Sequence, residues 1–146
     1  MRWISLSSAL LLIGCGTSSM PQPSTSVLPA EDVEALESIA TSALEADARM
    51  ERADSLYLGD AEVIATGSRR GDVPRFAGIE AGGQVALGSI RVDQAGNFAW
   101  ATFDYRWLAA SEDRFHEGRA TMVFTRTTTG KGTVWRIAHL HSSLHQ

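Results

Sequence analysis

The chain has 146 residues, of which 44% are hydrophobic and 21% charged, with a formal net charge of −4. That is enough for one domain with a buried core and too short for two of ordinary size. So small a net charge, with no Lys/Arg cluster, argues against a nucleic-acid partner. The charge is uneven: ten acidic residues lie between Glu31 and Glu62 against Arg49 and Arg52, whereas from Val63 onward seven acidic residues face ten basic ones. Acidic helices over a mildly basic sheet would give this pattern, and so would electrostatic steering of a ligand.

The first elements in the chain are export signals. Arg2 supplies a positive start, and residues 4–13 form an apolar run broken only by Ser and Ala. A bilayer core of about 30 Å takes about 20 helical residues to cross, so this run is too short to span it. It has the length of the apolar region of a signal peptide. Leu12-Ile13-Gly14-Cys15 resembles the lipobox of bacterial lipoproteins. The resemblance implies that 1–14 are removed and that Cys15 is lipidated, making a membrane the first partner. Cys15 is the only cysteine in the chain, so it has no disulfide partner there. A free thiol in an oxidising compartment is a liability that alkylation removes. One acyl chain anchors only marginally, so two or three are expected. Residues 15–28, rich in Ser, Thr and Pro, read as a tether unable to bury a core. Gly16, where Gram-negative sorting uses Asp for inner-membrane retention, favours the outer membrane by the same resemblance.

The folded domain is expected over 29–146. Pro29 suits the first turn of a helix, and Glu31, Asp32 and Glu34 complement its dipole. Val33, Leu36, Ala40, Ala43 and Leu44 follow at helical spacing, and the helix should run to about Ala48. A second short helix is expected over 52–58, carrying Tyr57. The period then changes to two. A first strand is expected over 61–66, then loops with a short strand near Phe76 across 67–83, where Pro74 and several glycines interrupt any pattern. Three turn signals, at 93–96, 110–113 and 129–132, separate four long strands at 85–92, 97–108, 114–126 and 134–144. Short connections between long strands give an antiparallel meander, and helices before strands give an α+β class.

Three segments carry a family resemblance. Leu56-Tyr57 with Asp60-Ala61-Glu62-Val63-Ile64, the run from Gly118 to Arg126, and the run from Val134 to Ser143 resemble SnoaL-like domains of the nuclear transport factor 2-like superfamily. The match extends over about 31–143 and is most specific in the closing strand, where a Trp, a basic residue and an Ile lead to two spaced histidines. It implies a cone: a strongly curved antiparallel sheet wrapped around N-terminal helices and open at one end into an apolar pocket. A clear third helix, usual in the family, is missing from 67–83.

Candidate pocket residues follow. His139 and His141 are two apart on a strand and should share a face with Trp135 and Ile137. Two imidazoles there could relay protons, or simply hydrogen-bond to neighbours. His116 or Asp104 could supply a third metal ligand, but their spacing fits no ligand pattern, so neither metal nor cofactor is expected. Asp104, Glu117 and Arg119 are charges within otherwise apolar strands. They face the pocket, where a carboxylate could act as a base, or pair across strands. Tyr57, on the helical wall by resemblance, could donate to a ligand or serve as core packing.

Two function classes remain: a membrane-tethered, non-catalytic module for a small apolar ligand or a partner, and an acid–base enzyme of the isomerase, dehydratase or cyclase kind. No paired carboxylates, activated nucleophile or cofactor motif stands out, which favours the first. Residues 97–108 carry large apolar groups on both faces, Phe98 and Trp100 on one and Phe103, Tyr105 and Trp107 on the other. A homodimer through the sheet would cover the second face, unless a bulge turns both sets inward.

Overall fold

A computed structural model describes residues 28–145 apart from Ser111, Arg114 and Lys131. The signal, Cys15 and most of the tether lie outside the described residues. Among the described residues no helix is long and apolar enough to cross a membrane.

Helix α1 (Ala30–Ala48) starts one residue after Pro29, with Glu31 and Asp32 in its first turn. Of the expected stripe, Leu36, Ala40, Ala43 and Leu44 are fully enclosed and Val33 is half-buried. Asp32 pins the start of the helix to the sheet. It accepts from Trp135 Nε1 at 2.9 Å and pairs with Arg126, whose guanidinium lies 4.7 Å from the Trp135 ring centre. The expected second helix is only a 3-10 turn, Asp54–Leu56, because strand pairing already begins at Tyr57. Tyr57 therefore belongs to a strand and not to a helical wall.

Six strands follow: β1 (Tyr57–Ala65), β2 (Ser68–Arg69), β3 (Gln84–Ala95), β4 (Phe98–Leu108), β5 (His116–Thr129) and β6 (Gly132–Leu144). They form one curved, unclosed sheet in the order β2-β1-β6-β5-β4-β3. The meander β3 to β6 is antiparallel, as its turn signals require. β1 joins β6 in parallel, so the sheet is mixed and not purely antiparallel. The parallel pair arises because β1 enters from the helix and the chain crosses to the far edge before the meander returns. No strand forms near Phe76; the short strand of this region is β2, closer to β1.

The core lies between α1 and the concave face of the sheet. β4 alternates without a break: Ala99, Ala101, Phe103, Tyr105 and Trp107 are buried, while Phe98 and Trp100 remain 54% and 38% exposed. No bulge turns both sets of aromatics inward.

Candidate functional site

The concave face is where a pocket was expected, and the chain's own loop occupies it. Arg75, Phe76, Ala77 and Ile79 are all buried, following a cis Val73–Pro74 peptide. Four hydrogen bonds fix this stretch. The amides of Arg75 and Phe76 both donate to Asp47 Oδ2, at 2.5 and 2.6 Å. The Ala77 amide donates to Ser142 Oγ at 2.9 Å, and its carbonyl accepts from the Tyr105 hydroxyl at 2.7 Å. The Phe76 ring meets Tyr105 edge-on at 5.4 Å and lies 6.3 Å from Phe103. Such tilted aromatic pairs add about 1 kcal/mol each beyond area burial. Phe76 thus fills the inside of the cone as a fixed plug.

Asp47 is the unusual group here. It stands in the last turn of α1, where the helix dipole disfavours an anion. Burial pushes its carboxyl up to about 6, although the Phe76 and Arg75 amides and the Arg75 charge pull in the other direction. Burial likewise raises the Tyr105 hydroxyl to about 12 and the Tyr57 hydroxyl further.

Outside the plug a cleft of about 450 Å³ opens beside β1. Thr66 and Gly67, with φ of 50° and 73°, form the two-residue turn that folds β2 back on β1. That hairpin brings Arg69 and Arg70 to one wall; Arg52 and Asp54 of the 3-10 region contribute to the lining, with Tyr57 and Arg75. The Arg75 guanidinium sits 4.1 Å from the Tyr57 ring centre and donates to Asp54 Oδ1 at 2.5 Å. That bond, chiefly, holds the Asp54 carboxyl below its usual range.

Of the candidates from sequence, Tyr57 lines this cleft and the other four lie elsewhere. Asp104 and Arg119 face each other across β4 and β5 on the outer side of the sheet, bonded at 2.7 and 3.3 Å. The Arg119 bond lowers the Asp104 carboxyl from its ordinary value. Glu117 pairs similarly with Arg106 at 2.7 Å. His139 and His141 do not share the face of Trp135 and Ile137. The β5–β6 register jumps from Phe124↔Ile137 to Val123↔His139, leaving Ala138 as a bulge. Beyond it Leu140 and Ser142 point inward, His141 is exposed, and His139 Nδ1 lies 3.7 Å from Glu62. His116 stacks on Trp107 with ring centres 4.6 Å apart and pairs with Glu112. Strand parity cannot register a one-residue bulge, and it therefore sends both histidines to the wrong face. The polar residues that are buried around the plug, Asp47, Arg75 and Ser142, carry no periodic signal; Pro74 beside buried residues is the faint cue to the plug.

Comparison with known proteins agrees with this architecture. The profile of the SnoaL-like domain family matches residues 33–145. A search of curated proteins found no match. Among solved structures, an NTF2-like protein of Streptomyces avermitilis with a provisional dehydratase name is 22% identical, with a TM-score of 0.61 over 82% of this chain and 99% of its own. An NTF2-like superfamily protein of Salmonella enterica is 19% identical, with a TM-score of 0.61 over 80% and 94%. A provisionally named ketosteroid isomerase of Parabacteroides distasonis is 15% identical, with a TM-score of 0.55 over 76% and 86%. At such identities the likeness shows fold and not chemistry. The chain belongs to the SnoaL-like domain family and has its NTF2-like α+β fold.

Proposed function

We propose that this protein is a lipid-anchored, non-catalytic binding module of the cell envelope, tethered at Cys15 and favouring the outer membrane in a Gram-negative cell. The observation that carries the non-catalytic reading is the plug: Phe76 occupies the concave side, clamped through Asp47, Ser142 and Tyr105. An apolar substrate could enter the cone only by displacing it. The cleft beside Tyr57, outside the plug, is the surface proposed for a ligand. A homodimer through the outer sheet face completes the reading. Phe98 and Trp100 lie exposed there, with Val123 directly across from Trp100, and large apolar groups grouped on one face favour association.

One observation favours the second reading, an acid–base enzyme of the isomerase, dehydratase or cyclase kind. A carboxyl pushed up to about 6, as in Asp47, lies near the range of a general base. Against it, the Asp47 oxygen is taken by two backbone amides of the plug. Native mass spectrometry of the protein extracted from its host membrane tests the proposal. The expected species is a dimer of chains beginning at an acylated Cys15, retaining a compound that is recovered unchanged after incubation. A soluble, unacylated monomer, or chemical conversion of the retained compound, would contradict it.

A further inference from the structure

The cleft beside β1 is built for negative charge. Its lining residues include Arg52, Arg69, Arg70 and Arg75, with Asp54 as the acidic residue among them. Asp54 is already committed, to Arg75 at 2.5 Å and to Arg52 at 3.1 Å. Arg52 also has Asp72 at 3.5 Å, and Arg69 has Glu62 at 3.7 Å, the latter a long contact between exposed groups that holds little. Arg70 has no ion pair among the described residues, although the hydrogen bond from its amide to Val63 O at 2.9 Å fixes its backbone at the cleft wall.

The floor adds a second observation. Tyr57 is only 7% exposed, and its buried hydroxyl makes no well-formed hydrogen bond among the described residues, the Arg75 side chain being the polar group close enough to act on it. A ligand oxygen reaching that hydroxyl would give it a well-formed hydrogen bond. Arg75 is buried against the same ring and held by Asp54, so its guanidinium is fixed in place before any ligand arrives. Arginines on two walls of one cleft suit an oxyanion with several acceptor oxygens, because each planar fork can take two of them.

We infer that this cleft binds a phosphoryl group, with Arg69 and Arg70 as its exposed donors and Arg75 as its buried one. The group is carried either by a free phosphorylated small molecule or by the headgroup of a membrane phospholipid. The inference rests on the binding-module reading and names the ligand chemistry of that module.

The test uses the detergent-solubilised full-length protein and two soluble probes, inorganic phosphate and the glycerol phosphodiester headgroup of phosphatidylglycerol. Binding is followed by calorimetry and by the arginine side-chain nitrogen signals. At least one probe should bind below about 10 mM and move the Arg70 and Arg75 signals. The R69Q/R70Q double variant should weaken binding by about tenfold or more, a loss of about 1.4 kcal/mol. Because both side chains are exposed, its melting temperature should stay within about 2 °C of wild type. Tighter binding of inorganic phosphate assigns a free ligand, and tighter binding of the phosphodiester assigns a lipid headgroup; either supports the site. No binding of either probe, or equal binding by wild type and variant, overturns it. Retention of an uncharged compound with no phosphate binding would overturn this inference while leaving the binding module standing.

Discussion

At the residue scale, Asp47 decides how the plug is held. Its carboxyl is nearly inaccessible and its Oδ2 accepts two amides of the plug. Burial raises it from the ordinary carboxylate range to about 6. The folded state therefore holds this proton where the unfolded chain has lost it. Between about pH 4 and about pH 6 stability must fall as pH rises, and the contribution is flat above that window. A carboxyl held at about 6 when folded and about 4 when unfolded corresponds to about 3 kcal/mol. D47N keeps an acceptor without the charge, so urea midpoints should lose this pH slope while stability near pH 7 is kept or improved. D47A leaves both amides unpaired and should lose about 3 kcal/mol. An unchanged slope in D47N would mean another group is responsible. The sequence displays Asp47 as one more acid on an acidic helix; only packing distinguishes it from Glu45, two residues away and exposed.

At the element scale, the strands were more legible than their faces. Alternation and turn residues located β3 to β6 and the helix, because a half-buried strand writes its period of two into the sequence. Faces failed where register changes. The bulge at Ala138 inverts β6 beyond Ile137 and sends His139 and His141 outward; a second irregularity lies between Leu87 and Ile90 of β3. Charges inside strands, by contrast, were explained by the cross-strand pairing weighed for them: Asp104 lies opposite Arg119, and Arg106 opposite Glu117. Between those charged pairs Gly118 lies opposite Tyr105, and the two are closely packed. A Cβ there would lie 2.3 Å from the Tyr105 ring, which is held through its hydroxyl to Ala77. G118A must push Tyr105 off the plug, and we expect a loss of about 2–3 kcal/mol by chemical denaturation. A variant as stable as wild type would show that the ring yields freely.

At the scale of the whole molecule, the family architecture is present but its interior is not left open. A curved sheet around one helix leaves space on its concave side, and here residues 75–79 return to fill it with Phe76, Ala77 and Ile79. The sequence pointed to loops and a short strand near Phe76 across 67–83, without the usual third helix; that a loop could serve as core was hidden, because a loop has no period to read. The cleft was equally hidden, since Arg52, Arg69 and Arg75 come together only when β2 folds back on β1. On the binding-module proposal, the filled cone directs a ligand to its outer edge. Amide hydrogen exchange tests this most directly. If the plug is part of the core, the amides of Phe76 and Ala77 should exchange as slowly as those of Met122 and Leu140, opening only with the whole domain. If they exchange as fast as the Asn97 turn while the sheet stays protected, the plug is a mobile lid and the cone is open to a ligand after all.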